Sequence, residues 1–291
     1  MIKSVTAKRK IFFTISIVLI VISIASLCIR GLNLGIDFTG GTTVQFELGE
    51  TKYSSDVEAR IRQIVKDTTK KTDITVQKTG ENGASIKTVE LTNEESEKLT
   101  DALMSEYKLE QKVFSTDKVS GSVSGRLITD SLKAIALAVI LMLLYITWRF
   151  DFRSGSSAVL ALVHDVLIML GFYALFQFTV STSFIAAVLT IVGYSINATI
   201  IVFDRVREKS RVANRNVKPD EIADEAVSNS FNRALNSSIT TLLTIGALYV
   251  MGVDSIKEFA LPIIIGILAG TYSSLFIAAP FWAWWKNSEK K

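Results

Sequence analysis

The sequence predicts a membrane α-helical bundle of six transmembrane helices, with an extracytoplasmic α+β ferredoxin-like domain inserted between helices 1 and 2. Hydrophobic residues make up 49% of the 291 residues, and the mean hydropathy is +0.36. Charged residues, 21% of the chain, lie mostly between the apolar segments. The longest polar stretch, 31–129, alternates between strand-like and helix-like patterns, which predicts a folded domain rather than a loop.

The composition also excludes several classes of protein. Three prolines and a single cysteine, Cys28, are too few for a collagen or a disulfide-stapled secreted domain. The net charge of +4 has a simple source, because excess Lys and Arg in membrane proteins collects in cytoplasmic loops. We therefore expect no nucleic-acid partner.

Six segments are long and apolar enough to cross a bilayer, which takes about 20 residues. They are 11–29, 130–148, 156–178, 182–203, 237–253 and 259–285. The first could be a signal peptide, but its apolar run is long for one and no small-residue cleavage pattern follows. We expect it to be retained, so that 1–30 forms a short tail and helix 1, and 130–291 forms helices 2–6.

The basic residues predict the orientation. Lys3, Lys8, Arg9 and Lys10 precede helix 1, and the segment 205–232, predicted as a cytoplasmic loop, carries six basic residues before residue 219. The connection between helices 3 and 4 has no charge. Because cytoplasmic loops are enriched in Lys and Arg, we expect a multi-pass membrane protein with both termini in the cytoplasm.

The insertion 31–129 has the order βαββαβ, which is that of a ferredoxin-like domain. The pattern predicts strands at 42–48, 73–79, 84–91 and 109–114, and helices at 54–67 and 92–107. Glu81-Asn82-Gly83 separates the second and third strands and is typical of a tight hairpin. The Ser- and Gly-rich segment 120–125 resembles a hinge that leads back to the membrane.

Polar residues within the spans are candidate functional residues, because they are costly at membrane depth. His164 and Asp165 lie next to each other in span three. The pair could relay protons, or it could hold neighbouring helices together. No metal site is expected, since the chain has no other histidine and its one cysteine is distant.

Spans four and five each carry a polar face. Tyr194, Asn197 and Asp204 share one face of span four. A second polar face begins at Arg233, one turn before span five, and continues with Ser237, Thr240 and Thr241. Hydroxyls of this kind often join helices to each other. Two facing polar faces, one with an arginine, would instead form a hydrated pathway.

Nothing in the sequence indicates enzyme chemistry or a cofactor. No segment has the phosphate-binding pattern G-x-x-x-x-G-K-[ST], so ATP hydrolysis of the usual kind is not expected. The glycine-rich segment 35–41 lacks a lysine and precedes a strand, so it predicts a tight turn.

Three motifs resemble those of a known family, the SecD/SecF accessory subunits of the bacterial Sec translocon. The first is the turn after helix 1, with Gly35, Asp37, Phe38, Gly40 and Gly41. The second is VGYSIN at 192–197 followed by VFDRVRE at 202–208, and the third is Arg233 followed by NSSITT at 236–241. Together with His164 and Asp165, the resemblance covers essentially the whole chain, and the small insertion favours SecF over SecD.

The resemblance implies a half of an RND-type membrane unit that pairs with SecD and uses the proton-motive force to help preproteins leave the SecYEG channel. In this family the fourth-span motif usually ends in Asn-Asp, and that aspartate is the proposed proton carrier. Ala198 stands at this position here, so the proton role does not transfer to it. A proton pathway would then depend on Asp165, Asp204 or a carboxylate of SecD.

Two other functions remain open at this point. An RND-type exporter of small molecules or lipids shares the six-span unit, although exporters usually have twelve spans and two large outer domains. A scaffold for SecD, without a proton site of its own, would explain Ala198. In each case the lipid bilayer surrounds the chain, and no cofactor is expected.

Overall fold

The computed structural model describes residues 4–49, 51–80, 82–109, 114–214 and 217–288. The chain divides into two compact units, which we call the membrane unit (Met1–Asn33 with Leu132–Lys291) and the α+β unit (Leu34–Ser131). A short strand, β1 (Asn33–Leu34), lies at the division.

Six helices are long and apolar enough to cross a membrane, as the sequence predicts, so the chain is a multi-pass membrane protein. The first five are α1 (Arg9–Arg30), α5 (Gly121–Arg149), α6 (Phe152–Phe176), α7 (Thr182–Val212) and α8 (Pro219–Met251). The sixth consists of α9 (Asp254–Ser273), a π-helical turn (Ser274–Ala278) and α10 (Ala279–Ser288). A two-residue strand, β6 (Thr179–Val180), precedes α7.

The segment 205–232, predicted as a loop, is helical over most of its length. Helix α7 continues to Val212, and α8 already begins at Pro219. Only 213–218 lies between the two helices, and residues 215 and 216 there, including Arg215, are outside the described part of the chain. Proline suits the first position of a helix, and Asp220 and Glu221 favour the first turn electrostatically.

The interior of the membrane unit is built from α6, α7 and α9, with α1 packed on α6 and α8 packed on α9. Small residues allow the close approaches: a Cβ atom at Gly266 would lie 2.5 Å from Ile191, and one at Gly171 would lie 2.1 Å from Ser23. Gly266 and Gly270 are the two ends of a small-xxx-small face, a pattern that lets helices pack tightly in membranes. In contrast, the most apolar part of α5 is not buried.

The N-terminal segment is hydrogen-bonded to α8. The carboxylate of Asp224 accepts hydrogen bonds from the backbone N–H groups of Val5 and Thr6, both at 2.8 Å, and from the hydroxyls of Ser4 and Thr6, at 2.9 and 2.8 Å. Val5 and Thr6 are buried. One carboxylate of α8 thus satisfies four donors that precede α1, and it places negative charge at the N-terminus of that helix.

The α+β unit contains a four-stranded antiparallel sheet and two packed helices. Its strands are β2 (Gly41–Glu47), β3 (Ile74–Thr79), β4 (Gly83–Thr88) and β5 (Phe114–Val119), in the order β3-β4-β2-β5. Central strand β2 pairs with both neighbours, so that Val44 lies opposite Ile86 and Thr116. Helices α3 (Ser55–Thr69) and α4 (Asn93–Tyr107) pack on each other. Apolar residues of the sheet and of both helices form one core.

Helix ends in this unit follow the sequence closely. The hydroxyl of Ser54 accepts the N–H of Val57 at the start of α3, and Thr92 and Glu95 form a capping box at the start of α4. The predicted hairpin is present between β3 and β4, although Glu81 lies outside the described residues. The side chain of Asn82 accepts the N–H of Tyr53 at 3.1 Å and donates to the carbonyl of Gly49 at 2.8 Å.

Two predictions in this unit differ from the structure. The last strand is β5 at Phe114–Val119 rather than 109–114, because Leu109 still belongs to the turn that ends α4 and donates its N–H to Met104. Residues 110–113 lie outside the described part. The predicted hinge at 120–125 is helical from Gly121, because the carbonyl of Ser120 accepts the N–H groups of Val123 and Ser124.

Candidate functional site

Two regions of the membrane unit bring the sequence-predicted residues together. The first, which we call the interior cluster, consists of His164, Asp165, Ser195 and Ser273. His164 and Asp165 lie in the middle of α6, and their side chains are 3% and 0% exposed. Nδ1 of His164 lies 3.0 Å from Oδ1 of Asp165. The aromatic ring of Tyr272 lies against the imidazole, with the centroids 6.1 Å apart.

Three helices meet at the carboxylate of Asp165. Its Oδ2 atom accepts hydrogen bonds from the hydroxyls of Ser195 on α7, at 2.6 Å, and Ser273 on α9, at 2.9 Å. A Cβ atom at Gly270 would lie 3.4 Å from the same oxygen, so the glycine allows α9 to approach. Each carboxylate oxygen therefore has a partner, and the cluster can hold either a negative charge or a bound proton.

A second pair of hydroxyls lies beside this cluster. The hydroxyls of Thr199 on α7 and Ser274 on the π-helical turn are 2.9 Å apart, and both are buried. Single π-helical turns inside longer helices are often found at functional sites. Nε2 of His164 is also buried, and no atom of the described residues forms a hydrogen bond with it. That nitrogen is a free position at which a proton or a donor can bind.

The second region is a cleft between α7 and α8, with a volume of about 400 Å³, which we call the open cleft. It brings Asn197, Asp204 and Arg233 together, along with other residues of both helices: Ile200, Ile201, Arg205, Glu208, Asn229 and Ser230. Asp204 also forms an ion pair with Arg149 at 3.2 Å. Arg233 forms no hydrogen bond or ion pair with the residues that the structure describes.

The hydroxyl faces of α7 and α8 meet differently from the prediction. The hydroxyl of Tyr194 donates to the hydroxyl of Ser238 at 3.3 Å. The hydroxyls of Ser238 and Thr271 are 2.6 Å apart. Ser238, rather than Ser237, therefore links α7, α8 and α9. Since neighbouring residues on a helix are about 100° apart, a shift of one position changes the face.

The other predicted hydroxyls of span five lie on the outside of the membrane unit. Ser237 and Thr240 are exposed. The hydroxyls of Thr240 and Thr241 donate to backbone carbonyls one turn earlier, at Asn236 and Ser237. Such bonds satisfy a hydroxyl within its own helix. None of the three residues lines the open cleft.

Ala198 lies between the two regions. It is 8% exposed and does not line the open cleft, although Asn197 beside it does. Thr199, the next residue, belongs to the buried hydroxyl pair. The position at which the resemblance leads one to expect a carboxylate is therefore a small apolar residue inside the helix packing.

Six residues of these regions were not among the candidates predicted from the sequence: Ser195, Thr199, Ser238, Thr271, Ser273 and Ser274. Each carries a single hydroxyl, and one hydroxyl alone costs so little in a membrane helix that it gives little signal in the sequence. The spacing of Ser195 and Thr199, four residues apart in an apolar span, and the adjacent pair Ser273-Ser274 were the available signals. No group of three His, Cys, Asp or Glu side chains suited to a metal ion occurs in the described residues.

The turn with the glycine motif lies in the α+β unit. Ile36–Thr39 forms a single helical turn, α2, and the side chains of Ile36 and Phe38 are buried. Gly40 and Gly41 have φ angles of 71° and 121°, and a Cβ atom at Gly41 would lie 2.3 Å from the carbonyl oxygen of Thr88. Only glycine fits there without strain, so both glycines shape the entry into β2. Gly35, at φ −69°, has no such requirement.

Comparisons with known proteins agree with this architecture. The family profile of the protein export membrane protein SecD/SecF C-terminal region matches residues 99–288, and the SecD/SecF GG motif matches residues 25–52. The protein translocase subunit SecF of Sebaldella termitidis is 37% identical, and the match covers 94% of this chain and 88% of that protein. The subunit SecDF of Bacillus subtilis is 33% identical, over 98% of this chain and 38% of that protein.

A solved structure extends the likeness to three dimensions. The crystal structure of the translocon-associated membrane protein SecDF from Thermus has a TM-score of 0.88 and 30% sequence identity, and the match covers 97% of this chain. This chain spans 38% of that SecDF chain. The family profile covers well over half of the sequence, and relatives above 30% identity match nearly all of it. The chain belongs to the SecD/SecF family of protein export membrane proteins.

Proposed function

We propose that this chain is a SecF-type accessory subunit of the Sec protein translocase, which acts with SecD to promote preprotein export by means of the proton-motive force. The observation that carries the proposal is the near full-length match to SecF subunits, together with the match to part of the longer SecDF chains. A separate SecD chain would supply the part of SecDF that this chain lacks. The role is one of transport rather than enzyme catalysis.

The α+β unit is the ferredoxin-like extracytoplasmic domain of this proposal. Its order of elements, βαββαβ, and its strand order, β3-β4-β2-β5, support that fold. The basic residues near the N-terminus and on the extension of α7 support cytoplasmic termini in the bacterial cell membrane. The outer domain would then meet preproteins as they leave SecYEG.

The open cleft is the proposed contact with SecD. Arg233 and Asn197 lie in an open cleft of the membrane unit, and the described residues give the guanidinium no partner. An unpaired cation at membrane depth is costly, so a carboxylate from a neighbouring subunit would be a favourable partner. Asp204 is a weaker candidate for proton transfer, because its carboxylate is paired with Arg149.

The interior cluster is the proposed proton site within this chain, in place of Ala198. Asp165 is the buried carboxylate of the described membrane helices, and His164 beside it has a free ring nitrogen. One proton that moves down a potential of 100 mV releases about 2.3 kcal/mol. Loss or gain of a proton at Asp165 would change the hydrogen bonds to Ser195 and Ser273, and hence the packing of three helices.

A scaffold role is the second candidate, and the apolar Ala198 favours it. Proton flux separates the two. SecD and this chain are copurified with SecYEG, reconstituted in vesicles with a membrane potential, and compared with an Asp165→Asn variant. Reduced flux and potential-dependent export with normal assembly would support a proton site in this chain. Unchanged flux and export would leave the scaffold role. Failure to copurify with SecD would contradict both.

The orientation has its own test. In a Cys28→Ser background, which removes the exposed native thiol, a cysteine at Glu97 should react with an impermeant maleimide added outside intact cells. A cysteine at Glu221, on the first turn of α8, should react only after the membrane is opened. Both positions are exposed. Reaction of Glu221→Cys from outside would overturn the orientation.

A further inference from the structure

A second cavity, of about 430 Å³, lies at one end of the membrane unit. It forms where the end of α5 and the start of α6 meet the extension of α7 and helix α10. The cavity shares no lining residue with the interior cluster or the open cleft. The proposed export mechanism makes no use of it.

The lining of this cavity is strongly basic. Among the described residues it contains one carboxylate, Asp151, and five basic side chains: Arg149, Arg153, Arg207, Arg211 and Lys286. The carboxylate accepts a hydrogen bond from Ser154 at 2.5 Å. Arg149 also forms an ion pair with Asp204, which lies outside this lining, at 3.2 Å. The lining still carries more positive than negative charge, so an acceptor with several oxygens would be stabilised within the cavity.

Two buried polar atoms in the lining have no partner. The indole Nε1–H of Trp282, a residue that is 2% exposed, and the hydroxyl of Ser210 form no hydrogen bond within the described residues. An indole N–H can only donate, so the missing partner must be an acceptor. The ammonium of Lys286 lies 4.7 Å from the ring centroid of Trp282, which places a cation beside the same position.

Aromatic side chains mark the depth of the cavity. Trp148, Phe152 and Trp284 are exposed on the ends of the helices that form it. Trp and aromatic neighbours gather where the apolar part of a bilayer meets its headgroups. This aromatic rim indicates headgroup level. In the orientation proposed above, that level is the cytoplasmic leaflet, whose anionic lipids attract Lys and Arg.

We infer that this cavity binds a phosphate group, and that the phosphate is the headgroup phosphate of an anionic phospholipid. A phosphodiester offers several acceptor oxygens and a negative charge, which fit the guanidinium groups, the indole N–H and the hydroxyl. The acyl chains would lie along the most apolar part of α5, which the other described residues leave unburied. Free phosphate has the same acceptor chemistry but no such chains.

The test measures lipid binding by native mass spectrometry on the purified full-length chain in detergent. Phosphatidylglycerol and phosphatidylcholine of equal chain length are titrated separately. We expect one molecule of phosphatidylglycerol to bind at least about tenfold more tightly, since the anionic lipid adds a net charge in a basic cavity. Millimolar inorganic phosphate should displace little of it.

Variants then locate the site. Arg211→Gln removes a cation of the lining and should weaken phosphatidylglycerol about fivefold, with phosphatidylcholine unchanged. Lys10→Gln is the matched control, because it removes one exposed positive charge from α1, outside the cavity lining. Trp282→Phe keeps an aromatic ring but loses the indole N–H, and it should weaken the anionic lipid about tenfold. If one of Arg211→Gln and Trp282→Phe does not fold, the other alone tests whether the lipid binds in this cavity.

Each contrary result overturns the inference in a distinct way. Equal affinity for the two lipids would mean that the cavity does not recognise an anion. Full displacement by inorganic phosphate would mean a soluble phosphate ligand instead of a lipid. An equal loss in Lys10→Gln and Arg211→Gln would mean that only the general surface charge attracts the lipid.

Discussion

The interior cluster and the open cleft lie on opposite faces of the same helix, α7, and differ in how their polar groups are satisfied. Asp165 has a hydrogen-bond partner on each carboxylate oxygen, and all of these partners come from this chain. Arg233 has none among the described residues and faces an open cleft. The polar groups of the first region are therefore satisfied within one chain, whereas the second region keeps a cation for which we propose a partner on a neighbouring subunit.

The largest effect is expected from Asp165→Ala. The variant leaves the hydroxyls of Ser195 and Ser273 and the imidazole of His164 without their shared acceptor, in a buried site. Loss of one member of a buried polar network typically costs about 3–5 kcal/mol. We expect little folded protein in the membrane, measured by the amount that survives detergent extraction and size-exclusion chromatography.

Asp204→Ala is the matched control, because it also removes a carboxylate but from an exposed ion pair. Exposed ion pairs contribute only about 0–1 kcal/mol, so this variant should accumulate normally. Asp165→Asn keeps an acceptor of the same shape and should fold. Equal accumulation of Asp165→Ala and Asp204→Ala would break the distinction between the two regions.

The next effect tests Ala198, which is 8% exposed. An aspartate within a membrane helix costs about 2.5–3.5 kcal/mol on insertion scales. Ala198 faces the helix packing and does not line the open cleft, so Ala198→Asp should lower the amount of folded protein severalfold. Asn197→Asp, one residue earlier, lines the cleft with Arg233 and should accumulate normally.

Accumulation of both variants is measured by quantitative immunoblot of washed membranes. Normal accumulation of Ala198→Asp would show that polar groups can solvate a carboxylate at this position. The interior cluster and the open cleft would then form one continuous polar region.

Arg233→Ala tests the open cleft itself. The protein should accumulate normally, since the guanidinium has no partner within the described residues, while the rate of preprotein export should fall about tenfold or more. That fall corresponds to the loss of one hydrogen-bonded charge across a subunit contact, about 1.5–3 kcal/mol. Arg233→Lys should restore export in part, because lysine keeps the charge but not the planar fork.

Export is followed by protease protection of a preprotein in inverted vesicles. Glu221→Ala, a charge removed from the same helix outside the cleft, is the control. If Arg233→Ala instead fails to accumulate, the cleft would be part of the fold and not an incomplete contact.

The smallest effect compares two adjacent serines of α8. Ser238→Ala removes the hydroxyl that links Tyr194 and Thr271, and hydrogen bonds of this kind in membrane helices contribute about 0.6 kcal/mol on average. Ser237→Ala removes an exposed hydroxyl and should change nothing. Thermal unfolding of the two proteins in detergent measures the difference, and a larger loss for Ser237→Ala would reverse the assignment of the buried face.

The sequence predicted the architecture well because its strongest signals are local. Apolar runs predicted the six helices, and caps such as Ser54 and Thr92 predicted where helices in the α+β unit begin. Helices α7 and α8 are longer than the predicted spans, because hydropathy marks where the apolar segment ends and not where the helix ends. Charged residues such as those at 205–212 continue a helix beyond the apolar part without difficulty.

The candidate site was predicted in part, since strongly polar residues are visible singly while hydroxyl networks are not. His164, Asp165, Asn197 and Arg233 stood out by type, and the structure places them in the two regions. The two hydroxyl partners of Asp165 come from α7 and α9, 30 and 108 residues away, and a pattern within one helix does not contain that information. The choice between Ser237 and Ser238 depended on helix rotation, which the polar pattern of span five did not determine.

The fastening of the N-terminal segment to Asp224 has a consequence for the order in which the protein is assembled. Thr6 and Asp224 are 218 residues apart in sequence, so the contact cannot form until most of the chain has been made. At about 5–20 residues per second, the first residues wait on the order of ten to forty seconds for their carboxylate. Helix α1 therefore enters the membrane before the residues that precede it have their hydrogen-bond acceptor. These hydrogen bonds form only after α8 has been synthesised.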